Sequence, residues 1–240
     1  MDAGGFLDLL RFGDAGWGDE MLSGLVMTIA ISLSSFLLGL VIGCGGAAVK
    51  LSSFLPSRII GDAYTTVIRG VPELLVLYLL FFGGNQALML VARVFGYDGY
   101  IELNAFTIGT IAIGFVSGAY STEVIRGAVL AVPKGQIEAA KAVGMTTRQR
   151  FFRILVPQVA RYALPGLGNV WQLTLKDTSL ISVTGLVEIM RTAQVAAGST
   201  KQPFTFYLVA AALYLLLTSA SNFGFRKTER WANRGVRRAN

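Results

Sequence analysis

The sequence predicts an all-α integral membrane protein with about five transmembrane helices. Hydrophobic residues make up 53% of its 240 residues and charged residues only 15%, whereas typical soluble domains carry about 25% charged residues. The hydrophobic residues cluster into runs of roughly 20, the length of helix that crosses a bilayer core about 30 Å thick. Lys and Arg fall between and after these runs. We therefore expect residues 1–240 to form a single membrane domain without a separate soluble domain.

Five apolar runs define the predicted spans. They are Met21–Val49, Pro72–Val94 (for which an earlier start is also allowed), Ala105–Ile125, Tyr162–Leu186 and Phe204–Phe223. The fourth run is the least apolar of the five. No removable signal peptide is expected, because the first twenty residues are acidic and contain no apolar segment before the first span.

Two spans contain glycine pairs at the G-x-x-x-G spacing. These are Gly39 and Gly43 in the first span and Gly114 and Gly118 in the third. Small residues at this spacing let helix backbones approach closely. Two interpretations remain open, namely packing between helices of this chain and contact with a second subunit.

The positions of the basic residues predict the orientation. With the N-terminus outside, 16 Lys and Arg residues lie on the inner side and 4 on the outer side, and Lys176 falls within a span. By the positive-inside rule, residues 1–20 are a periplasmic segment and residues 225–240 a basic cytoplasmic tail. The inner residues are Lys50, Arg58, Arg69, Arg126, Lys134, Lys141, Arg148, Arg150, Arg153, Arg161, Arg226, Lys227, Arg230, Arg234, Arg237 and Arg238, and the outer ones are Arg11, Arg93, Arg191 and Lys201.

Residues 126–161 form the longest predicted inner connection. Gln136–Val143 is rich in helix-forming residues, and Gly144 suits the left-handed position that ends a helix. Thr146 and Gln149 have the spacing of a capping box for a second helix. Pro157 is expected to limit that second helix. The sequence thus predicts two short helices joined by a tight turn.

This connection favours docking of a cytoplasmic partner over a solvated loop. Large apolar side chains favour contact with a partner surface over exposure to solvent. The second half of the connection contains four of them, namely Phe151, Phe152, Ile154 and Leu155. A DNA-binding helix–turn–helix is disfavoured, because the segment is tethered between two spans. The net charge of +7 is explained by the basic residues on the predicted inner side of the membrane, so no nucleic acid is expected as a partner.

The same segment resembles the EAA motif of ABC importer permeases. The resemblance rests on Glu138-Ala139-Ala140, then Gly144, then Ile154-Leu155-Val156-Pro157, where Val156 replaces the usual leucine. It implies that residues 126–161 are a coupling loop that binds an ATPase subunit. The coupling residues that it implies are Glu138, Ala139, Ala140, Gly144, Ile154 and Pro157.

Longer stretches narrow the resemblance to permeases for polar amino acids. Residues 64–83, 118–140 and 161–180 are similar to that group, and most similar to the Q-type permease of histidine/lysine/arginine/ornithine transporters. The resemblance implies a type I ABC importer fold in the bacterial inner membrane and transport of polar, basic amino acids by alternating access. Opines and other polar amino acids are alternative substrates.

The resemblance also implies the partners. These are a second, paralogous permease in a heterodimer, a dimer of ATP-binding subunits and a periplasmic amino-acid-binding protein.

The chain lacks the G-x-x-x-x-G-K-[ST] motif that binds ATP phosphates. ATP and Mg²⁺ are therefore expected in the ATPase, and this chain is expected not to be an enzyme. It has no histidine, and no cofactor or metal is expected in it. An ion-coupled carrier that works alone and a membrane scaffold are the alternative functions.

Polar residues within the spans are the candidates for a substrate pathway. Each charge at the bilayer centre costs about 2.5–3.5 kcal/mol on insertion scales, so these side chains should face a cavity or another helix. Lys176 and Asp177 are adjacent and should point apart on a helix. Substrate contact and structural hydrogen bonding both remain open for the fourth span. The predicted pathway residues are Glu73, Asn169, Gln172, Lys176, Asp177 and Ser179.

Two charged pairs have helical spacing. Arg69 and Glu73 are four residues apart, and Glu123 and Arg126 are three apart, so each pair is predicted to be an ion pair within one helix. Alternatively, one carboxylate meets a cationic substrate. Glu73 and Asp177 are the candidates for that role, because an arginine or lysine ligand needs a buried negative partner.

Overall fold

The computed structural model describes residues 8–13, 16–97 and 104–234, in which helices occupy most positions and no strand occurs. The helices are joined by short connections. Their bounds are α1 Gly18–Lys50, α2 Leu55–Gly70, α3 Glu73–Val94, α4 Ala105–Leu130, α5 Lys134–Ala142, α6 Thr147–Arg150, a π-helical turn Phe151–Leu155, α7 Val156–Asp177, a 3-10 segment Thr178–Thr184, α8 Ile189–Thr200 and α9 Pro203–Ala232.

Among the described residues, three helices are individually long and apolar enough to cross a membrane, namely α1, α4 and α9. Two further crossings result if each of two bent pairs counts as one span. One pair joins α2 to the first half of α3 with a bend of 109°, and the other joins residues 147–184 to α8 with a bend of 47°. The all-helical prediction is therefore confirmed, and the described residues contain three to five candidate spans, depending on whether each bent pair is counted as one.

The helix pair α1 and α4 forms the most extensive contact in the described chain. Its two glycine pairs explain the close approach. A Cβ added at Gly43 would lie 2.5 Å from the Cβ of Ser121, and one added at Gly39 would lie 2.6 Å from the Oγ of Ser117. The second pair, Gly114 and Gly118, lies against Leu38 and Ile42 of α1 in the same way. Both glycine pairs thus pack within this chain.

Two apolar clusters complete the core. Near the start of α1, Met21 packs with Ile189 and Ala193 of α8 and with Phe206 of α9. The second cluster joins α1, α3 and α4 to the 3-10 segment through Ile31, Leu77, Ala112, Ile113 and Ile181. Helix α4 is central, because it packs against α1, α2, α3 and α7.

Two proline-based predictions need correction. Pro157 does not limit the second loop helix, because the backbone continues as helix from α6 through the π turn into α7. A proline ring clashes with the carbonyl four residues earlier, and that residue, Arg153, lies in the wider π turn. Wider turns of this kind accommodate breaks in the α-helical hydrogen-bond ladder.

The other correction concerns Arg69 and Glu73, which do not lie on one helix. Helix α2 ends at Gly70, Val71 and Pro72 adopt extended backbone angles, and α3 starts at Glu73. The residue before a proline disfavours the α conformation, which accounts for the break. The fourth predicted span is also irregular, because its α-helix begins before Tyr162 and ends at Asp177.

Some predictions fall outside the described residues. The structure covers the predicted periplasmic segment 1–20 only at residues 8–13 and 16–20, and the predicted tail only as far as Arg234. Arg237 and Arg238 lie beyond it.

We expect Gly43→Val to destabilise the fold by about 1–3 kcal/mol, the usual cost of overpacking, because its side chain would meet Ser121 of α4. The matched control is Gly45→Val in the same helix, since a Cβ at Gly45 has no neighbour within 4 Å. Unfolding of both variants in mixed lipid–detergent micelles measures the difference. Equal losses for the two variants would contradict the close-packing role of Gly43.

Candidate functional site

The loop between α4 and α7 is a well-defined, exposed structure. Gly144 has φ +79°, the left-handed conformation predicted for the end of α5. The Thr146 hydroxyl accepts a hydrogen bond from the Gln149 backbone N–H at 3.3 Å, and the Gln149 side chain accepts one from the Thr146 N–H at 2.9 Å. The capping box and the tight turn are therefore confirmed. Together they fix the angle between α5 and α6.

The predicted coupling residues occupy different positions in this loop. Glu138 and Ala139 are exposed on α5, whereas Ala140 is buried. Ile154 is half-buried at the π turn, and its carbonyl accepts a hydrogen bond from the Gln158 amide at 3.0 Å. The same amide donates to Gln136 at 2.9 Å and so ties α5 to the start of α7. Pro157 is exposed.

Large apolar side chains are exposed on the same loop. Val143 is 78% exposed, Phe152 59% and Phe151 47%, and the two phenylalanine rings pack edge to face with centroids 5.0 Å apart. Apolar side chains grouped on a polar loop are typical of a protein-binding surface. The loop can therefore bind another protein through Val143, Phe151 and Phe152.

The breaks in two spans bring two acidic residues together. Glu73 begins α3 directly after the bend from α2, and Asp177 ends α7 at the transition to the 3-10 segment. Both line a narrow gap of about 10 Å³ together with Leu77, Val116 and Leu180. The sequence predicted both residues for the pathway, and the structure places them on one gap. In this conformation the gap is far too small to hold an amino acid.

Tyr120 of α4 connects this gap to a cation. Its hydroxyl donates a hydrogen bond to the Glu73 carboxylate at 3.1 Å, and the Arg69 guanidinium lies over its ring, 5.4 Å from the centroid. Arg69 and Glu73 are thus linked through Tyr120 and not by the predicted direct pair. Aromatic rings attract cations at this distance. Sequence reasoning missed Tyr120, which carries no local signal for this role.

The other predicted pathway residues lie on a different face of α7 and of the 3-10 segment that follows it. Asn169, Gln172, Lys176 and Ser179 follow helical spacing along one stripe. Lys176 and Ser179 line a cleft of about 460 Å³ beside α9, which adds Tyr207 and Tyr214 to its lining. Lys176 and Asp177 therefore point apart, as predicted.

Gln172 has a structural partner in this stripe. Its amide donates to the Asn222 side chain of α9 at 3.0 Å. This hydrogen bond supports the structural interpretation for Gln172, while Asn169 is exposed. The structure thus separates the six pathway candidates into an acidic pair on the gap and a polar stripe beside α9.

A buried carboxylate organises the bend before α8. Glu188 is fully buried and accepts hydrogen bonds from the backbone N–H groups of Met190 at 2.8 Å and Arg191 at 2.7 Å. The Tyr214 hydroxyl donates to the same carboxylate at 3.0 Å. Glu188 therefore caps α8 and orients Tyr214 at the edge of the cleft. The sequence analysis did not identify Glu188.

A charged cluster joins the end of α1 to the middle of α2 and to α4, on the side of α4 that leads into the loop between α4 and α7. The ammonium group of Lys50, whose side chain is only 8% exposed, contacts the carboxylate of Glu123 and lies 2.8 Å from both Asp62 and Thr65. Glu123 also pairs with Arg126 at 2.8 Å, which confirms that predicted ion pair. Because α4 leads directly into the loop, this cluster attaches α1 and α2 to the helix that carries the loop.

Comparison with known proteins identifies the chain's relatives. Residues 35–232 match the family model described as "Binding-protein-dependent transport system inner membrane component". The chain is 62% identical to the nopaline transport system permease protein NocQ of Agrobacterium fabrum, over 96% of this chain and 98% of that protein. It is 44% identical to the histidine/lysine/arginine/ornithine transport system permease protein HisQ of Salmonella typhimurium, over 93% and 98%.

Solved structures show the same fold. A chain from the crystal structure of an amino acid ABC transporter with histidines superimposes with a TM-score of 0.75 at 32% identity, covering 89% of this chain and 94% of that chain. A chain of the MetNI methionine ABC transporter in an inward-facing conformation gives a TM-score of 0.69 at 16% identity, covering 98% and 100%. At this lower identity the likeness concerns the fold alone.

We expect Lys50→Met to cost about 3 kcal/mol, the lower end for breaking a buried ion pair, because Arg126 still contacts Glu123. Asp62→Asn is the matched control, since Asp62 is 60% exposed and exposed pairs contribute at most about 1 kcal/mol. The double variant with Glu123→Gln should recover part of the loss. Unfolding in lipid–detergent micelles measures all three. Equal costs for Lys50→Met and Asp62→Asn would show that the cluster is only a surface interaction.

Proposed function

The chain belongs to the family of binding-protein-dependent transport system inner membrane components, and on that basis we propose that it is the permease subunit of an ATP-driven importer for amino acids or opines. The relatives match over nearly the whole chain, and their names include nopaline, octopine and basic amino acids. Within this range, the proposed substrates are cationic amino acids and opines derived from arginine.

The convergence of Glu73 and Asp177 on one gap is the main structural support for a cationic substrate. Nopaline, octopine and arginine share a guanidinium group and at least one carboxylate. A guanidinium group binds carboxylates through paired, charge-assisted hydrogen bonds. Both carboxylates lie where a helix breaks, and broken helices line the binding sites of many membrane transporters.

Arg69 adds the opposite charge beside the same gap. Its guanidinium lies over Tyr120, whose hydroxyl donates to Glu73. A substrate that carries a carboxylate as well as a cation could bind both signs of charge here. In this proposal the polar stripe of Asn169, Lys176 and Ser179 faces a water-filled pathway or a second permease, because it is unsuited to lipid.

The proposed partners follow from the family and the loop. A periplasmic binding protein delivers the substrate from outside, a second permease completes the pathway, and an ATPase dimer with ATP and Mg²⁺ binds the loop at Val143, Phe151 and Phe152. The second permease is proposed to be a paralogue. The proposed orientation has the N-terminus outside and the basic C-terminal tail inside, as the distribution of Lys and Arg predicts.

The proposed mechanism is alternating access between two global states. Closure of the ATPase dimer moves the loop, and α4 and α7 move with it because they flank the loop directly. The narrow gap between Glu73 and Asp177 then opens toward the outside and receives the substrate. ATP hydrolysis returns the chain to an inward-facing state. Glu138, Ala139, Ala140, Gly144, Ile154 and Pro157 transmit this motion and catalyse nothing.

For the loop, we expect Gly144→Val to uncouple ATP hydrolysis from uptake while the complex remains assembled. A β-branched residue is strained at φ +79°, whereas asparagine tolerates left-handed angles, so Gly144→Asn is the matched control. Uptake by cells and ATPase activity of the purified complex are compared for both variants. Normal uptake by Gly144→Val at normal expression would exclude the coupling role of this turn.

For the acidic pair, Asp177→Asn should lower uptake of arginine or nopaline at least about tenfold, since hydrogen bonds to charged groups contribute about 1.5–3 kcal/mol. Competition by citrulline, the neutral analogue of arginine, should be nearly unaffected. Glu229→Gln on α9 removes a carboxylate remote from the gap and is the control. If Asp177→Asn discriminated between arginine and citrulline as well as the parent chain does, Asp177 would not bind the cation.

A further inference from the structure

One surface of α9 is exposed, and it changes from apolar to basic along the helix. Leu208, Leu215, Leu216 and Phe223 share one side of the helix and are 53–69% exposed. The next turns on that side carry three cations, namely Arg226, Lys227 and Arg230. We call these seven residues the exposed face of α9.

The polar side of α9 is the one suited to a protein partner or an aqueous pathway. Tyr207 and Tyr214 line the cleft beside Lys176, and Asn222 bonds to Gln172. Tyr207 and Tyr214 lie about 80–180° around the helix from the four apolar residues of the exposed face, at 3.6 residues per turn. Asn222 lies at the border of the two sides, about 20° from Leu215. The apolar residues of the exposed face are therefore left for the acyl chains of lipid. Among the three long apolar helices of the described chain, α9 is also the least buried.

The three cations follow directly after the apolar part of the exposed face. Arg226 to Arg230 follow Leu216 by about 15–21 Å along the helix axis, so they project where the apolar surface ends. Together with Phe223 they line a recess of about 500 Å³. None of the ion pairs within residues 8–13, 16–97 and 104–234 involves these three cations. Glu229, the nearest carboxylate in sequence, is three residues from Arg226 and about 60° from it around the helix, but it forms no ion pair with these cations within the described residues.

We propose that Arg226, Lys227 and Arg230 form a binding site for the phosphate headgroup of an anionic phospholipid, whose acyl chains lie along Leu215, Leu216 and Phe223. Clustered basic residues at the end of a transmembrane helix attract anionic lipids. Arginine binds phosphate through paired hydrogen bonds, and the recess offers two arginines and a lysine around one space. The site is separate from the acidic gap, so it does not depend on the proposed substrate.

The test uses the complete importer in phosphatidylcholine bilayers that contain a trace of spin-labelled phosphatidylglycerol or spin-labelled phosphatidylcholine. Electron paramagnetic resonance measures the fraction of each lipid that the protein immobilises. The parent complex should prefer phosphatidylglycerol. The R226Q/K227Q/R230Q variant should lose at least about fivefold in that preference, the factor expected for even one charge near an anionic surface.

The matched control, R11Q/R93Q/K201Q, removes three cations from the other end of the spans and should keep the preference for phosphatidylglycerol. An unchanged preference in R226Q/K227Q/R230Q, or an equal loss in the control, would overturn the proposal. Loss of the ATPase subunit from R226Q/K227Q/R230Q with the lipid preference intact would also overturn it, because the face would then bind protein.

A second measurement does not depend on the folding of that variant. Trp231 lies next to Arg230 and is 66% exposed. The fluorescence of Trp231 is the difference between the emission of the parent complex and that of Trp231→Phe. Brominated phosphatidylglycerol should quench this Trp231 fluorescence more strongly than brominated phosphatidylcholine does. Equal quenching by the two lipids in the parent complex would reject the site.

Discussion

The close contact between α1 and α4 is the constraint on which the rest of the structure depends. Gly39 and Gly43 of α1 leave no space between its backbone and Ser117 and Ser121 of α4. In a bilayer, helices associate chiefly through such close packing, because lipid is as apolar as the side chains. Helix α4 is thereby fixed at the centre, where it contacts α2, α3 and α7 and leads into the loop between α4 and α7. The acidic gap and the loop are therefore attached to the same central helix.

Charged residues are confined to places where the protein can stabilise them. Lys50 and Glu123 pair near the end of α4 that leads into the loop, and Glu188 is held by two backbone N–H groups and Tyr214. Glu73 and Asp177 differ from these, because they share one gap without a cation between them. Two carboxylates that face each other across an apolar gap favour a cationic ligand. This contrast separates the carboxylates held by a cation or by backbone N–H groups from the two proposed to meet a substrate, of which Glu73 accepts a hydrogen bond from Tyr120.

Features set by local chemistry could be predicted from the sequence. The Gly144 turn and the Thr146–Gln149 capping box depend only on neighbouring residues, and both formed as expected. The glycine pairs predicted which faces of their helices pack closely. They left open whether those faces contact another helix of this chain or a second subunit. The errors arose at prolines. A helix was expected to carry Arg69 and Glu73 together, but it breaks before Pro72. Another helix was expected to end at Pro157, but it continues through that residue.

Partners distant in the chain could not be predicted. Lys50 meets Glu123 across 73 positions, and Tyr214 meets Glu188 across 26. Nothing in the residues near Lys50 distinguishes it from a lysine that merely marks the inner side of the membrane. The pairing follows only when α1 and α4 have packed. Tyr120 and Asn222 are similar cases, since their roles depend on which helices become neighbours.

The unbroken helix from Thr147 to Asp177 has a mechanical consequence. It is about 45 Å long and carries the exposed phenylalanines near one end and the acidic gap at the other, with no intervening loop. Pro165 lies near its middle, where one backbone hydrogen bond is missing. If the helix tilts about this point, its two ends swing in opposite directions through comparable arcs. A push on the end that carries Phe151 and Phe152 would then displace Asp177 in the opposite direction.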